Sequence, residues 1–197
     1  SFRISAEGSR IRVIGIIPDQ IVTDSRVMEA RIVDDEAVSD VERDLIKLAS
    51  VERHHKTGRV GLGFVHGLGL KRGAIAGSVG HDCHNITVAG VNDDDMDTAV
   101  QAIKALGGGL VAVEDGEVIA SVPLPVAGLM SDQPIETIRD QMEELVGAAH
   151  GLGSSLHDPF MQLGFLALEV IPQLKLTDQG LVDVEAFDFA PLWVEEG

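Results

Sequence analysis

A chain of 197 residues with 45% apolar side chains is long enough to bury a core, which excludes an intrinsically disordered protein. Its formal net charge of −17 argues against nucleic acid and anionic membranes as partners, because both repel an acidic surface. The single cysteine excludes an internal disulfide and indicates a reducing compartment, the cytoplasm. No uninterrupted apolar run approaches the roughly 20 residues that a membrane-spanning helix needs, and no secretory signal is expected at the start.

The first part of the chain is predicted to consist mainly of strands. Residues 10–17 begin with alternating and end with continuous apolar side chains, and Pro18 stops this strand. Residues 28–33 alternate weakly and lead into residues 34–36, an acidic run interpreted as a solvated turn rather than a metal site. Residues 44–51 are apolar enough for either a buried strand or a short helix.

Three helices are predicted in the second part of the chain. The first covers about residues 93–106, where apolar side chains recur at helical spacing after Asn92, a good N-cap residue. A hairpin over residues 110–122 follows, and further helices are predicted over residues 134–150 and 158–168. These elements predict an α+β fold, a mixed β-sheet layered with about three α-helices. The order of the layers does not follow from the pattern.

The chain is predicted to form one domain over residues 1–197. It contains no long linker, no low-complexity tract and no clear internal repeat. The alternative is a division into two lobes, residues 1–91 and 92–197. The glycine-rich run of residues 60–91 lacks both the dinucleotide-binding motif and the P-loop motif, so the sequence gives little support to a site for nucleotide phosphates.

Residues 80–86 concentrate two imidazoles, a carboxylate, a thiol and an amide inside an apolar run. Such groups are costly to bury unless they are hydrogen-bonded, bind a ligand or face a pocket. In a strand, Asp82 and His84 would share the face of the core residues that follow, whereas in a helix His81 and His84 would share a face. The β-branched residues that follow this run favour the strand.

A second polar cluster, Glu52-Arg53-His54-His55, ends the apolar segment of residues 44–51. The ends of buried elements are where proteins tend to present site residues. Two histidines next to an acid and an arginine therefore make this cluster a second candidate site. The alternative is a solvated loop.

Five segments of the sequence together form a pattern, and they occur in this order: residues 51–58, 73–86, 124–131, 165–172 and 176–181. This pattern resembles the C-terminal region of bacterial and archaeal adenine deaminases of the amidohydrolase superfamily, and the resemblance extends over nearly the whole chain. The family usually has serine at the position of Cys83. Cysteine keeps the size and a weak hydrogen-bonding ability.

The resemblance implies hydrolysis of adenine to hypoxanthine and ammonia by a metal-activated water. In that superfamily an N-terminal β/α barrel holds the divalent metal, expected here to be Mn or Fe, or else Zn. The barrel's H-x-H pair is missing from this sequence, in which His54 and His55 are adjacent and His81 and His84 are three apart. We therefore expect only the C-terminal domain here, inactive alone, with adenine as the substrate, the N-terminal barrel domain as a partner and a homo-oligomeric enzyme.

The resemblance and the side-chain chemistry together suggest roles for eight residues. Catalytic roles are predicted for His81, Asp82 and His84, with Asp82 orienting an imidazole, and substrate-binding roles for Asn85, Glu52, Arg53, His54 and His55. No metal ligand is assigned. One alternative is that the histidines form a satisfied hydrogen-bonded network at a domain or subunit interface. A second is a non-catalytic oligomerisation module whose glycine-rich surface and residues 124–130 are buried between subunits. Another is an independent metal-binding or hydrolytic domain that uses His54, His55, His81, Asp82 and His84.

Overall fold

Strands dominate the computed structural model, which describes residues 1–195. In chain order its elements are β1 (Arg10–Ile16), β2 (Thr23–Glu29), β3 (Arg31–Val33), β4 (Glu36–Val38), β5 (Leu45–Val51), β6 (Val60–His66), β7 (Ala74–Gly77), β8 (Ile86–Gly90), α1 (Asp93–Leu106), β9 (Gly109–Glu114), β10 (Glu117–Pro123), α2 (Ile135–Gly151), α3 (Pro159–Phe165), β11 (Leu174–Thr177), β12 (Gly180–Asp183) and β13 (Asp188–Ala190). None of the described helices is long and apolar enough to cross a bilayer.

The centre of the fold is an eight-stranded sheet in the order β10-β9-β7-β8-β5-β6-β1-β2. Its neighbouring strands are antiparallel except β1 and β6, which are parallel. The predicted α+β class, a mixed sheet with three helices, is confirmed. Strands from residues 1–91 and from residues 92–197 share this sheet, and the division into two lobes stays a prediction.

Helices cover both faces of the sheet at the β7–β8–β9 region. Ile75, Ala89 and Ala112 lie in the core cluster that contains the buried residues of α2 and α3. Their strand neighbours Ala74 and Val88 lie in the cluster that contains α1. Because successive side chains of a strand point to opposite faces, the order of layers is α1, sheet, then α2 with α3.

Burial on both faces also resolves the ambiguity of residues 44–51. They form strand β5, whose first six residues are fully buried or nearly so. Its antiparallel neighbours are β6 and β8. A continuous apolar run is typical of a strand that has no solvent-facing side.

The helix ends follow from local capping. The Asn92 side chain accepts a hydrogen bond of 2.8 Å from the Asp95 backbone N–H, and Gly107 ends α1 in the left-handed conformation with φ of 75°. Helix α2 starts one residue later than predicted, with Pro134 at the N-cap. Its first residue, Ile135, is exposed.

The third helix is shorter than predicted. Asp158 caps it by accepting hydrogen bonds from Phe160 N and Met161 N, but the α-helix ends at Phe165 instead of continuing to residue 168. The carbonyl oxygen of Phe165 accepts from the buried ammonium of Lys175 at 3.0 Å. Apolar composition alone therefore overestimated the length of this helix.

A three-stranded sheet, in the order β11-β12-β13, packs on the face of the large sheet opposite α1. Its hairpin of β11 and β12 lies against β6 at Gly61. A Cβ atom on Gly61 would overlap the Thr177 carbonyl oxygen and would lie 3.1 Å from Gly180 N. This glycine lets two backbones come closer than any side chain would permit.

Candidate functional site

Residues 80–85 form a loop at the end of the large sheet, between β7 and β8. The prediction that a strand continues through them is wrong, because the chain turns here and β8 starts only at Ile86. His84 has a φ of 51°, and its backbone N–H donates to the Gly80 carbonyl oxygen at 2.6 Å. The turn brings the His81 and His84 rings together, with centroids 5.6 Å apart.

The residues after β5 form a second loop, which is organised by the carboxylate of Glu52. One Glu52 oxygen accepts from the backbone N–H groups of His54 and His55 at 2.5 and 2.6 Å. The other accepts from the backbone N–H and the hydroxyl of Thr57 at 3.0 and 2.9 Å. The Glu52 side chain is nearly buried, and its oxygens are occupied by the loop itself. Its first role is therefore to shape the loop.

The acid stability of the protein is expected to depend on Glu52. The hydrogen bonds, led by that from Thr57 N–H, lower the pKa of Glu52 from 4.5 to about 2. A lowered pKa means that this stabilisation is complete above about pH 4.5 and is lost as the pH falls towards 2. In thermal melts at pH 5 and pH 2.5, the Glu52→Gln variant should lose less stability on acidification than the wild-type protein. Equal losses would contradict the role assigned to the carboxylate.

Hydrogen bonds to backbone carbonyls join the two loops. The Arg53 guanidinium donates from Nε to the His84 carbonyl oxygen at 2.6 Å and from Nη2 to the Ala127 carbonyl oxygen at 2.9 Å. The Nε2 atom of His54 lies 2.7 Å from the Cys83 carbonyl oxygen. These contacts combine residues 52–57, 80–85 and 126–130 into one surface, which we call the histidine face.

The imidazoles of the histidine face lie in different environments. His81 is half-buried and stacks on Phe165, with ring centroids 5.1 Å apart and an interplanar angle of 21°. Burial lowers the pKa of His84, and the neighbouring His81 and Arg53 lower it further. His84 is therefore neutral at pH 7, so one of its ring nitrogens is a hydrogen-bond acceptor. His55 and the carboxylate of Asp82 are exposed to solvent.

Two buried polar atoms at this face are unpaired within residues 1–195: His84 Nδ1 and Asn85 Oδ1. Asn85 is 3% exposed, and its Nδ2 donates to Asp178 Oδ1 at 3.3 Å. The other oxygen of Asp178 accepts from Arg59 Nε at 2.7 Å. Proteins seldom leave buried polar atoms without partners, so Asn85 Oδ1 and His84 Nδ1 are candidates for contact with a bound molecule.

The thiol of Cys83 has a different character. It is half-buried, and burial raises its pKa. A thiol with a raised pKa carries little thiolate at neutral pH, which makes it a poor nucleophile and a poor metal ligand.

The described residues do not fit a resident metal ion. Within residues 1–195, no group of three or more His, Cys, Asp or Glu side chains is placed to hold one. The two histidine stretches do meet at one face, but through hydrogen bonds to carbonyl oxygens rather than through converging side chains. The structure thus gives no support to an independent metal site built from His54, His55, His81, Asp82 and His84.

Comparison with known proteins decides the family. A family model described as "Adenine deaminase C-terminal domain" matches residues 20–188, which is most of the chain. The chain belongs to the adenine deaminase C-terminal domain family. The predicted resemblance is therefore confirmed.

Members of this family occur within longer proteins. The chain is 51% identical over 195 residues to an adenine deaminase of Methanothrix thermoacetophila, and these residues cover 99% of the chain but 34% of that protein. It is 52% identical over 192 residues to an adenine deaminase of Desulfatibacillum aliphaticivorans, with coverage of 98% and 34%. For an adenine deaminase of Brucella melitensis the identity is 49% over 189 residues, with coverage of 96% and 32%. The chain thus spans about a third of the length of these curated relatives.

Four residues that shape the site in this family domain were not predicted from the sequence. Asp178 holds Asn85, Arg59 holds Asp178, and Phe165 stacks on His81. Gly128 has a φ of 75°, and a Cβ atom there would lie 2.9 Å from the Arg53 guanidinium nitrogens. Asp178, Phe165 and Gly128 lie in segments that show the family resemblance, whereas Arg59 does not. That resemblance was the only feature of the sequence that pointed to these three residues.

Proposed function

We propose that this domain completes a metal-dependent adenine deaminase, a hydrolase that converts adenine to hypoxanthine and ammonia. In this proposal the histidine face closes the active site from the C-terminal side, and the domain alone is inactive. Family membership and the threefold greater length of the relatives support it. The proposal also includes a barrel in the remainder of the enzyme as its partner, and a cytoplasmic location in keeping with the single cysteine.

The observation that carries the proposal is the pair of unpaired buried atoms, His84 Nδ1 and Asn85 Oδ1, on adjacent residues of the 80–85 loop. Adenine is uncharged at pH 7 and offers an exocyclic amine and ring nitrogens along its edge. An amide oxygen can accept a hydrogen bond from that amine, and a neutral imidazole can donate to or accept from a ring nitrogen. The polar groups that need partners thus match a purine edge.

The proposed roles of the remaining residues follow from their positions. His81, held by the Phe165 ring, and the exposed Asp82 carboxylate are placed to move or hold a proton beside His84. Arg53 and His54 act as positioning residues, because each is hydrogen-bonded to a carbonyl oxygen of the 80–85 loop. Glu52 positions the His54-His55 backbone.

The divalent metal of the proposed reaction, Mn or Fe or else Zn, would be held outside these residues. Within residues 1–195, no three His, Cys, Asp or Glu side chains are grouped so as to form a ligand set. We therefore assign no step of metal chemistry to this chain. Its contribution is to orient the purine and to exclude water around it.

A non-catalytic oligomerisation module is the second candidate function. Three apolar side chains in or close in sequence to the 126–130 segment of the histidine face are solvent-exposed: Val126 is 43%, Met130 58% and Ile135 73% exposed. Contiguous exposed apolar surface often marks protein–protein contacts. In a homo-oligomeric enzyme these side chains would be buried between subunits, and the histidines would form part of that contact.

The first test of the proposal is ammonia release from adenine in the presence of Mn²⁺ or Fe²⁺. We expect activity from a longer protein that carries this domain with its native upstream sequence, and none from the 197-residue chain. Activity of the short chain would overturn the assignment of the chemistry to the remainder of the enzyme.

The second test replaces His84 and Asn85 by alanine in that longer protein. Because each side chain is proposed to contact adenine, kcat/KM should fall by about 100-fold, while the metal content and the oligomeric state stay unchanged. His157→Ala, at an exposed histidine outside the histidine face, is the matched control. Unchanged kcat/KM in both variants would rule out the proposed role, and a loss confined to oligomer stability would favour the oligomerisation module.

A further inference from the structure

A concave site adjoins the histidine face and shares Glu52, Arg53 and Lys56 with it. It is a cleft of about 620 Å³ between the 52–58 loop, the start of β8 and the C-terminal end of α1. Its apolar lining comes from Val51, Ile86, Val100 and Ile103. The volume falls within the range of roughly 300–1,000 Å³ that is typical of small-molecule sites.

The rim of this cleft is basic in a protein that is strongly acidic. Arg53, Lys56 and Lys104 all line it. Among the described residues, none of the three forms an ion pair with a carboxylate. Arg53 donates only to carbonyl oxygens. The one carboxylate in the lining, Glu52, accepts four hydrogen bonds from its own loop.

A structural role explains only some of the positive side chains that line the cleft. Lys104 lies in the last turn of α1, where a cation is favoured by the helix dipole. Lys56 lies in an irregular loop with a φ of 54° and has no such reason to be basic. Three cations and one carboxylate line the cleft together with apolar side chains, which makes it a positive site on a chain of net charge −17.

We propose that this cleft binds a small organic anion that joins a flat apolar body to a phosphate, the chemistry of a nucleoside monophosphate. The apolar floor would take the flat ring, and the arginine and lysines would take the phosphate. Adenine itself is uncharged and gives no reason for three cations. The proposed ligand therefore differs from adenine, although the cleft shares Arg53 with the histidine face, and this inference does not depend on the proposed function.

The test is calorimetric titration of the 197-residue chain with AMP, with adenine, and with ribose 5-phosphate, which lacks the base. We expect AMP to bind at least tenfold more tightly than adenine or ribose 5-phosphate, because only AMP has both the ring and the charge. The Lys56→Gln/Lys104→Gln variant should bind AMP at least tenfold more weakly, and Arg31→Gln, which removes an exposed charge on β3, should bind it as the wild type does.

Several outcomes would overturn this inference. One is the absence of AMP binding up to millimolar concentration. Another is equal binding by the wild-type protein and the double lysine variant, since both lysines are exposed and their replacement should leave the melting temperature unchanged. Ribose 5-phosphate binding as tightly as AMP would remove the role of the apolar floor and leave only non-specific attraction of an anion.

Discussion

The Gly61→Ala variant is expected to lose about 3 kcal/mol or more of its free energy of unfolding, a large effect for one methyl group. The new Cβ atom would overlap the Thr177 carbonyl oxygen and lie 3.0 Å from the Thr177 carbonyl carbon. These are backbone atoms of the β11–β12 hairpin, so no side-chain rotation can relieve the overlap. Either the hairpin moves away from β6 or the strand bends.

Displacement of the hairpin would reach the histidine face. Asp178 lies in the turn between β11 and β12, where it accepts from Asn85 Nδ2 and from Arg59 Nε. Leu176 and Leu181, which are almost fully buried, pack over the neighbouring Gly63. The Gly61→Ala change should therefore loosen Asn85 as well as the core beneath the hairpin.

Thermal unfolding measures this effect. For a chain of this size a loss of about 3 kcal/mol corresponds to a fall of roughly 6–12 °C in melting temperature. Gly147→Ala is the matched control, because a Cβ atom on this exposed glycine of α2 meets nothing within 4 Å. It should stabilise the protein by about 0.5–1 kcal/mol through its better helix propensity. A Gly61→Ala variant as stable as wild type would show that the hairpin is not held as closely as described.

Stability at alkaline pH is expected to depend on Lys175. This lysine is fully buried, and its ammonium donates to the carbonyl oxygens of Ile21 at 2.8 Å and Phe165 at 3.0 Å. No carboxylate within residues 1–195 pairs with it. Burial lowers the pKa of Lys175 from 10.5 to about 8. The folded protein therefore carries a buried charge at neutral pH that it can release at mildly alkaline pH.

The sign of the effect follows from proton binding. Between about pH 8 and 10.5 the unfolded chain retains the proton that the folded protein has released, so folding becomes more favourable as the pH rises. We expect the difference in unfolding free energy between the wild-type protein and Lys175→Met to shift in favour of wild type by up to about 3 kcal/mol across this range.

Denaturant unfolding at pH 7, 8, 9 and 10.5 measures this difference directly. Comparison with Lys175→Met cancels the titration of all other groups. Lys71→Met, which removes an exposed ammonium that donates to one carbonyl oxygen, is the control for loss of a lysine. A difference that stays constant with pH would mean that the ammonium of Lys175 is retained in the fold, with its desolvation offset by the two carbonyl groups.

The sequence was sufficient where the determinants of structure are local. Helix α1 begins and ends as predicted, because Asn92 at its start and Gly107 at its end act within one turn of the chain. Strand β5 was ambiguous because burial on both faces removes the alternation that identifies a strand. The lengths of α3 and β8 were overestimated. Helix α3 ends at Phe165, whose carbonyl oxygen accepts from the buried Lys175 ten residues later. Strand β8 starts only after His84, which has a left-handed backbone conformation.

The candidate site was likewise predictable only where its features are local in the sequence. The sequence identified both histidine stretches as unusual from their composition. It did not show that they meet, because the contact between Arg53 and His84 spans 31 residues and uses a backbone oxygen that no side-chain pattern reports. The contact between Asn85 and Asp178 spans 93 residues. The first contact depends on the pairing of β5 with β8, and the second on how the β11–β12 hairpin packs on the sheet. Both are properties of the whole fold.

The two carbonyl contacts of Arg53 have a consequence for local unfolding. One guanidinium ties the 80–85 loop to the 126–130 loop, while its own backbone belongs to the 52–57 loop. None of the three can open far without breaking a hydrogen bond of the others. The three loops are therefore expected to open as one cooperative unit at the edge of the sheet. A contact that stabilises one of them would stabilise all three.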